Sequence, residues 1–442
     1  MSCVDENLYC FVCGKNWKLS LAELAAFLQT RNQKFEVHEV SRAFFTIKTE
    51  APLNPALIDD LGGILKIAKV AAFVRTQQLA DAFVKEDKQA KLDLKSSLPL
   101  HVLAANMPSA SSGKTLFGVS VYWAETPFSF NRVAHAIHRF LGGSLKDELK
   151  VQGKNARFMG FPKSRGHPQL TAVEVLKKGL VEDKAEVLLC IGKHKTATGA
   201  TVAVHNPFEF QKRDVEKPVQ RKIFAVPPRI AKIIVNLSRC TTGKVFLDPF
   251  CGVGTILQEA LLAGAKVIGI DLNRWCVDAA RRNLTWIERE YSLDDANFTV
   301  LQGDARRLTS KLREPIDCIA TEPDLGPALR QVPTEAYATK LVSNLKPLFS
   351  DFLSEAHAVL REGGFLVVVA PFVKTRSGKA VTMDLQDMAI QEGFQVVKPL
   401  QTVAFTEDSS AAPSLKEMST FVDVEEHHKI GRQIHIFQKL KF

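Results

Sequence analysis

Residues 245–275 have the sequence VFLDPFCGVGTILQEALLAGAKVIGIDLNRW, which decides the fold of the second half of the chain. The stretch opens with a short apolar run that ends in Asp248, followed by a turn that contains Gly252 and Gly254. Apolar residues at helical spacing come next and stop at a glycine, and a second apolar run then ends in Asp271. This order of strand, glycine turn, helix, strand and acid predicts a βαβ unit with a nucleotide-type binding site.

Further strand-like runs follow this unit. Apolar runs at 298–301, 316–320 and 365–370 alternate with helical patterns, and this alternation is typical of a parallel, doubly wound sheet. The tail differs, because the strand-like runs 394–397 and 434–438 are separated by a long polar stretch without a clear helical pattern. We expect these two runs to form an antiparallel hairpin at one edge of the sheet.

The first four predicted strands of this sheet each end in an acid, namely Asp248, Asp271, Asp304 and Glu322. Ligands of such sheets bind outside the carboxyl ends of the strands. Four acids without a nearby lysine disfavour bound phosphates and favour a cationic ligand that carries a ribose and an adenine. Asp271 is placed to accept from the ribose hydroxyls and Asp304 from the adenine amine, and S-adenosylmethionine fits these demands. An NAD-dependent dehydrogenase is disfavoured, because the third glycine of its pyrophosphate loop is missing.

The first half of the chain is basic. Residues 1–214 carry about eight of the ten net positive charges, which favours a polyanionic partner. Lys154, Arg157, Lys163 and Arg165 are interleaved with aromatic rings, a composition suited to single-stranded RNA or tRNA ends. An ordinary basic loop whose phenylalanines enter the core is an equally open reading of this segment.

The N-terminal residues predict a small α+β sandwich, because a strand, a helix and two strands follow one another. Ser20 and Glu23 fit a capping box, which predicts a helix start at Ser20. Cys10 and Cys13 have a CxxC spacing without a suitably placed second Cys or His pair, so we expect buried thiols and no metal. We expect no signal peptide or membrane span, and a reducing, cytosolic location.

Several motifs resemble those of a known family. LDPFCGVGT, IGIDLN, GDA and TEPDLGP at successive strand ends resemble class I S-adenosylmethionine methyltransferases, and more narrowly the group that methylates exocyclic amines. The segments GKNWKLSLAELAAFL, LGGILKIAK, FGVSVYW and NPFEFQKRDVEKPVQ resemble the THUMP-containing tRNA guanine-N2-methyltransferases that act on guanosine at position ten. The similarity runs through most of the chain in the same order.

This resemblance implies a fold and a domain order. The implied fold class is α/β: a Rossmann-like class I methyltransferase domain with a doubly wound, mostly parallel seven-stranded sheet, preceded by an α+β ferredoxin-like and THUMP half. The implied domains are a ferredoxin-like domain at 1–97, a THUMP-like RNA-binding domain at 98–205, a linker at 206–222 and the methyltransferase domain at 223–442. The implied partner is tRNA, and eukaryotic members also need a small zinc-containing activator subunit.

The resemblance also implies the residues that bind S-adenosylmethionine. These are Asp248, Phe250, Cys251, Gly252, Gly254, Thr255, Asp271, Leu272, Asp304, Ala305 and Glu322.

The catalytic motif departs from the family pattern. Asp or Asn, Pro, Pro, then Tyr or Phe is usual, whereas this chain has Glu322, Pro323, Asp324 and Leu325. A guanine amine is a poor nucleophile, and Glu322 together with the Pro323 carbonyl can accept its protons. Asp324 could be a second acceptor or could repel, and Leu325 stands where a base-stacking ring would be. Two alternatives therefore stay open: methylation of another exocyclic amine in RNA or DNA, and a non-catalytic RNA-binding homologue.

Overall fold

The computed structural model describes residues 7–109, 113–124, 126, 128–161, 166–221, 225–293, 297–407 and 409–440. The chain forms two compact units. The first comprises Met1–Leu21, Asn32–Pro207 and Val403–Ala412. The second comprises Ala22–Arg31, Phe208–Thr402 and Pro413–Phe442. None of the described helices combines the length and the apolar character needed to cross a bilayer.

The described residues form strands, α-helices and a few short helices of other types. The strands are β1 (Leu8–Cys13), β2 (Phe35–Val40), β3 (Phe44–Thr49), β4 (Ile64–Arg75), β5 (Thr115–Trp123), β6 (Ala156–Phe158), β7 (Glu186–Ile191), β8 (Lys195–Val204), β9 (Val245–Asp248), β10 (Lys266–Asp271), β11 (Phe298–Gln302), β12 (Ile316–Thr321), β13 (Leu360–Lys374), β14 (Ala380–Thr382), β15 (Phe394–Val396), β16 (Ala404–Phe405), β17 (Thr420–Asp423) and β18 (Ile430–Lys439). The α-helices are α1 (Trp17–Thr30), α2 (Thr76–Phe83), α3 (Lys88–Ser97), α4 (Leu100–Asn106), α5 (Ala134–Val151), α6 (Ala172–Lys177), α7 (Pro207–Gln211), α8 (Pro228–Leu237), α9 (Thr255–Leu262), α10 (Arg274–Glu290), α11 (Glu335–Val359), α12 (Leu385–Gln391) and α13 (Ala412–Lys416). Short 3-10 helices at Pro55–Asp60 and Ala305–Arg307 and a π-helix at Lys212–Glu216 complete the set.

The first unit is built on one sheet. Its order is β16-β2-β3-β1-β4-β8-β7-β5-β6, so a single sheet runs through both N-terminal domains that the sequence predicts. Most neighbours are antiparallel, whereas β5 runs parallel to β6 and β7. The short strand β16, from the polar stretch of the tail, pairs with β2, and no sequence pattern predicts this contact. The domain boundary at residue 97 stays a prediction.

The capping box predicted at Ser20 and Glu23 is wrong. Helix α1 begins at Trp17, and the Asn16 side chain accepts from the Leu19 amide at 3.2 Å. Ser20 lies inside the helix and donates to the Gly63 carbonyl, while Glu23 accepts from the side chain of Asn236. Both residues are buried, so they serve packing inside the fold and not the start of a helix. Cys10 and Cys13 are buried free thiols in β1, as expected.

The second unit contains the predicted doubly wound sheet. Its main order is β11-β10-β9-β12-β13-β18-β15, with β9 to β13 parallel and β18 antiparallel to both of its neighbours on this path. The predicted pairing of the two tail runs is confirmed, because β15 pairs with β18. The pair lies at one edge of the sheet, as expected, because β18 follows β13 and β15 ends the strand order. Because parallel strands end on the same side, the acids that follow β9, β10, β11 and β12 come together at one edge.

The predicted linker is largely helical and is fixed to the second unit. Arg213 of the π-helix forms a buried two-point ion pair with Glu259 of α9, with its closer contact at 2.6 Å. Val219 exchanges two backbone hydrogen bonds with the side chain of Asn283 on α10, each 2.9 Å long. Buried charges and amides need such partners, so this segment is held in one place beside the glycine turn.

Candidate functional site

The glycine turn after β9 has the backbone that its sequence predicts. Gly252 and Gly254 have φ values of +52° and +87°, a left-handed conformation that favours glycine. A Cβ on Gly254 would lie 3.2 Å from the Cβ of Ala280, so glycine also lets α9 begin close against α10. The turn thereby leaves room for a ligand at the carboxyl end of β9.

A cavity lies over this turn. Six residues predicted from the sequence line it: Asp248, Phe250, Cys251, Gly252, Thr255 and Glu322. Five others complete the wall: Arg221, Ala225, Val226, Val253 and Ile256. The predicted cofactor loop and the first residue of the predicted catalytic motif therefore share one cavity.

Asp248 is fully buried at the floor of this cavity. Its Oδ1 accepts from the Thr321 hydroxyl at 2.6 Å and from the Phe250 amide at 3.2 Å. Its Oδ2 is buried and has no hydrogen-bond partner among the described residues. Burial raises the pKa of Asp248 to about 7. A buried carboxylate oxygen without a donor is the feature that a cationic ligand would satisfy.

Asp271 braces the glycine turn from the end of β10. Its two oxygens accept from the amides of Gly252 and Asn273, at 2.9 and 2.8 Å. Each carboxylate oxygen can accept a second bond, so both can still receive a ribose hydroxyl. The next residue, Leu272, is 68% exposed, which leaves an apolar surface open to a flat ring.

Asp304, which we expected to accept from the adenine amine, already has partners within the protein. It caps the short helix Ala305–Arg307, and its carboxylate forms an ion pair with Arg306, whose closest approach is 2.6 Å. These contacts lower the pKa of Asp304, with the Arg306 hydrogen bond as the largest cause. An adenine amine would have to share this carboxylate with Arg306, so the adenine role of Asp304 stays a prediction. Ala305 is buried beside it.

Glu322 forms an ion pair that the sequence analysis missed. Arg432 of β18 donates from Nε to Glu322 Oε2 at 2.5 Å and from Nη2 to Oε1 at 3.3 Å. Burial raises the pKa of Glu322, and the nearby Arg432 opposes that rise. One signal could have identified Arg432: strand alternation puts it on the same face as the apolar residues Ile434 and Ile436, where a charge needs a partner.

The other residues of the predicted catalytic motif differ in exposure. Pro323 is buried, whereas Asp324 is exposed and accepts from the Gly326 amide at 2.9 Å. This bond makes Asp324 part of the turn that follows β12. Leu325 is half-buried.

Two cations near the turn correct the premise that no lysine is nearby. Lys217 is buried and donates to the Thr255 hydroxyl at 3.1 Å, and burial lowers its pKa. Arg221 lines the cavity, with Nη1 3.9 Å from the position of a Cβ on Gly252. The site therefore contains a cation as well as acids, which suits a ligand that carries both charges.

The predicted RNA-binding residues separate into different environments. Lys154 donates to three carbonyls at or beyond the end of α4, those of Ala104, Ala105 and Met107, which favours a structural role, and its contact with RNA stays a prediction. Arg157 is exposed on β6 and stays a predicted phosphate contact. Lys163 and Arg165 lie outside the described residues.

Most aromatic rings of the predicted RNA-binding segment pack in the core, as in the alternative in which this segment is an ordinary basic loop. Phe158 packs against Phe117 and His138, with ring centroids 5.3 and 4.9 Å apart, and Phe161 also contacts His138. His167 is the exception. It is exposed and packs on Trp123, and both line a cavity of about 570 Å³ in the first unit.

Known proteins resemble this chain in sequence and in fold. Residues 220–392 match the UPF0020 family, described as an RMKL-like methyltransferase domain. A tRNA (guanine(10)-N2)-dimethyltransferase of Methanothermobacter thermautotrophicus is 36% identical over 158 residues, which are 35% of this chain and 42% of the relative. One from Pyrococcus abyssi is 32% identical over 190 residues, 43% of this chain and 49% of the relative. TrmN from Thermus thermophilus superimposes with a TM-score of 0.53 at 18% identity, over 98% of this chain and 100% of TrmN.

These matches confirm the predicted class I methyltransferase fold and the resemblance to tRNA guanine-N2-methyltransferases. The matched regions span only about half, or less, of those two curated relatives. The likeness to TrmN extends along nearly the whole chain, and at its low identity it concerns the fold.

Proposed function

We propose that this protein transfers a methyl group from S-adenosylmethionine to the exocyclic N2 amine of a guanosine in tRNA, at position ten. One observation carries the proposal. The unpartnered, buried Oδ2 of Asp248 and the carboxylate of Glu322 line the same cavity at the carboxyl ends of β9 and β12. A site for a cationic cofactor and an acceptor for amine protons are thus adjacent.

The residues of the cavity fit this cofactor. Asp248 Oδ2 would receive its ammonium group, and Arg221 would face its carboxylate. Asp271 would accept from the ribose hydroxyls, and Leu272 and Ala305 would border the adenine. When bound, S-adenosylmethionine supplies a sulfonium methyl: the N–C bond forms as the S–C bond breaks, the sulfur keeps the electron pair, and one amine proton leaves.

The catalytic motif would orient the target amine and take its proton. The lone pair of a guanine amine is delocalised into the ring, so the amine attacks poorly unless its protons are drawn away. Glu322 accepts one proton contact, and the Pro323 carbonyl can accept the other. Glu322 or solvent then receives the released proton. Asp324 accepts from the Gly326 amide through one oxygen, and its remaining acceptor sites allow it to serve as a second acceptor.

The basic first half would bind the tRNA. Two relatives bear the name of tRNA (guanine(10)-N2)-dimethyltransferases, and the net positive charge of residues 1–214 suits a polyanion. Exposed Arg157 is the described residue that we place against phosphate. The THUMP character of this half, the cytosolic location and the need for an activator subunit stay predictions.

A direct assay tests the proposal. Purified protein is incubated with labelled S-adenosylmethionine and unmodified tRNA transcripts, and the digested nucleosides are identified by mass spectrometry. We expect N2-methylguanosine at position ten and its loss when that guanosine is replaced. Methylated adenine would instead identify another exocyclic amine as the target, and calorimetry with the cofactor alone checks binding separately.

The ion pair of Glu322 favours a second candidate, a non-catalytic RNA-binding homologue. If Arg432 neutralised Glu322 completely, the protein would bind tRNA without methylating it. A Glu322→Ala variant that replaces the parent fully in a deletion strain would support this candidate.

A further inference from the structure

We infer that Arg432 is a positioning residue that holds Glu322 as a two-acceptor carboxylate, which reads the N1–H and N2–H donors of guanine and rejects bases without that edge. The inference rests on the proposed function and names a specificity device within the same site. It concerns a residue in a strand far from the catalytic motif, and it gives the departure from the usual motif a purpose.

The geometry fixes the carboxylate in one orientation. Nε and Nη2 of Arg432 each contact a different oxygen of Glu322, at 2.5 and 3.3 Å, and Nη2 also lies 3.4 Å from the Ala225 carbonyl. The side chains are only 11% and 7% exposed. A planar fork on a carboxylate restricts rotation about its last bond, so the free sides of both oxygens have a set direction.

The strand that carries Arg432 is itself held on both sides. Arg432 is opposite Pro371 of β13 and opposite Asp423 of β17. The backbone of Arg432 is therefore held within the sheet, and its side chain is largely buried. A group on such a support keeps its position when a substrate enters.

The lone pairs that remain can accept two donors. Each carboxylate oxygen has two acceptor sites, and the fork of Arg432 uses one on each. Glu322 also lines the cavity, so the unused sites are available on that side. The Watson–Crick edge of guanine presents N1–H and N2–H as adjacent donors, and an ionised carboxylate matches both.

Other bases lack this match. Adenine and cytosine present one amine donor beside an unprotonated ring nitrogen, which would face a carboxylate oxygen without a hydrogen. Such a contact leaves two acceptors against each other, a loss that discriminates strongly in a desolvated site. A protonated or amide side chain would prefer those bases instead, so the permanent charge of Arg432 decides which base fits.

An experiment with a base analogue separates this role from simple structural support. Two tRNAs are prepared with guanine or 2-aminopurine at the target position. 2-Aminopurine keeps the N2 amine but lacks the N1 proton. For the parent protein we expect kcat/KM to fall about 10- to 100-fold on 2-aminopurine, the range for one hydrogen bond to a charged group.

Two variants then test the reading directly. Glu322→Gln offers one acceptor and one donor, so its preference for guanine over 2-aminopurine should shrink by at least about tenfold or reverse. Comparing this ratio with that of the parent cancels the different intrinsic reactivity of the two bases. Arg432→Gln should lower kcat on the guanine tRNA and weaken the preference for guanine over 2-aminopurine. If Arg432 had only a structural role, its loss would lower kcat on both tRNA substrates by the same factor.

Arg361→Gln is the matched control. Arg361 pairs with Asp317 at 2.7 Å on an exposed part of the same unit, and its loss should leave the substrate ratio unchanged. A parent protein that methylates both bases equally would overturn the inference and leave the proposed function standing. Failure to methylate guanine at all, with cofactor binding intact, would overturn both. An Arg432→Gln protein that is faster than the parent would identify Arg432 as an inhibitor and also overturn the inference.

Discussion

The hydroxyl of Thr321 donates a 2.6 Å hydrogen bond to Asp248 Oδ1, and this buried contact joins the end of β12 to the end of β9. Thr321 immediately precedes Glu322, so one hydrogen bond connects the proposed cofactor loop with the proposed catalytic motif. A displacement of either strand end should therefore shift the other, because the hydrogen bond is short and excluded from water.

Asp248 should make cofactor binding depend on pH. Its pKa in the folded protein is about 7, against an ordinary value of 3.8, because burial disfavours the charge. A cofactor ammonium needs the ionised form, so affinity should rise between pH 5.5 and 7.5. Calorimetry in buffers of different ionisation enthalpy should detect a proton released on binding.

Asp248→Asn is the control, because it removes the titration of Asp248 and leaves the titration of the cofactor itself.

The pH dependence of stability that Asp248 causes is opposite in sign to that of a salt-bridged acid. The folded state retains a proton that the unfolded chain releases, so the stability contribution is present below about pH 4 and is lost as pH rises to 7. A cofactor affinity that does not change between pH 5.5 and 7.5 would contradict the proposal that Asp248 binds the cofactor ammonium.

Arg432→Met should destabilise the second unit. It leaves the Glu322 carboxylate buried without a partner, and breaking a buried pair costs about 3–5 kcal/mol. The pKa of Glu322 would rise further, so the loss in unfolding free energy should be largest near pH 7 and should diminish in acid. Urea unfolding of the single variant and of Arg432→Met with Glu322→Gln measures it, and the second substitution should recover part of the loss.

Lys66 and Glu186 form a second buried pair, in the sheet of the first unit. Lys66 Nζ also donates to the Leu170 carbonyl at 2.9 Å, and Glu186 accepts from Ser120 and Thr201 at 2.6 and 2.8 Å. We expect Lys66→Met to lower the unfolding free energy by about 3–5 kcal/mol, since it leaves the buried Glu186 carboxylate without its charged partner.

Pairing Lys66→Met with Glu186→Leu in a double-mutant cycle should give a loss smaller than the sum of the single losses. Additive losses would show that the pair is not energetically coupled.

Lys154 and Arg157 should respond in opposite ways. Arg157→Ala should weaken tRNA binding and reduce the salt slope of the affinity by about one, with little change in stability. Lys154→Met should leave the salt slope unchanged and lower stability by roughly 1 kcal/mol, because three carbonyls lose their donor. Filter binding at several salt concentrations and thermal unfolding distinguish the two. A reduced salt slope for Lys154→Met would instead support its predicted contact with RNA.

The sequence alone predicted the parts of the fold that depend on local periodicity. Strands β9, β10, β11 and β12 match their predicted apolar runs to within one residue, because strands of a parallel sheet covered on both faces are continuous apolar runs. The acids at their ends were then located together by a general rule, since parallel strands end on one side of a sheet. Asp248, Gly252 and Glu322 line one cavity for this reason.

The tertiary structure decided which of these groups are already partnered. Arg432 lies 110 residues from Glu322 and reaches it because β18 pairs with β13, and a local sequence pattern predicts a strand but not which strand it pairs with. The sequence around Lys154 suggested a phosphate contact, but in the structure Lys154 donates hydrogen bonds to carbonyls at the end of α4. A sequence specifies the charges of a site through residue type, whereas their availability depends on long-range packing, which places a counter-charge or a carbonyl within about 3 Å.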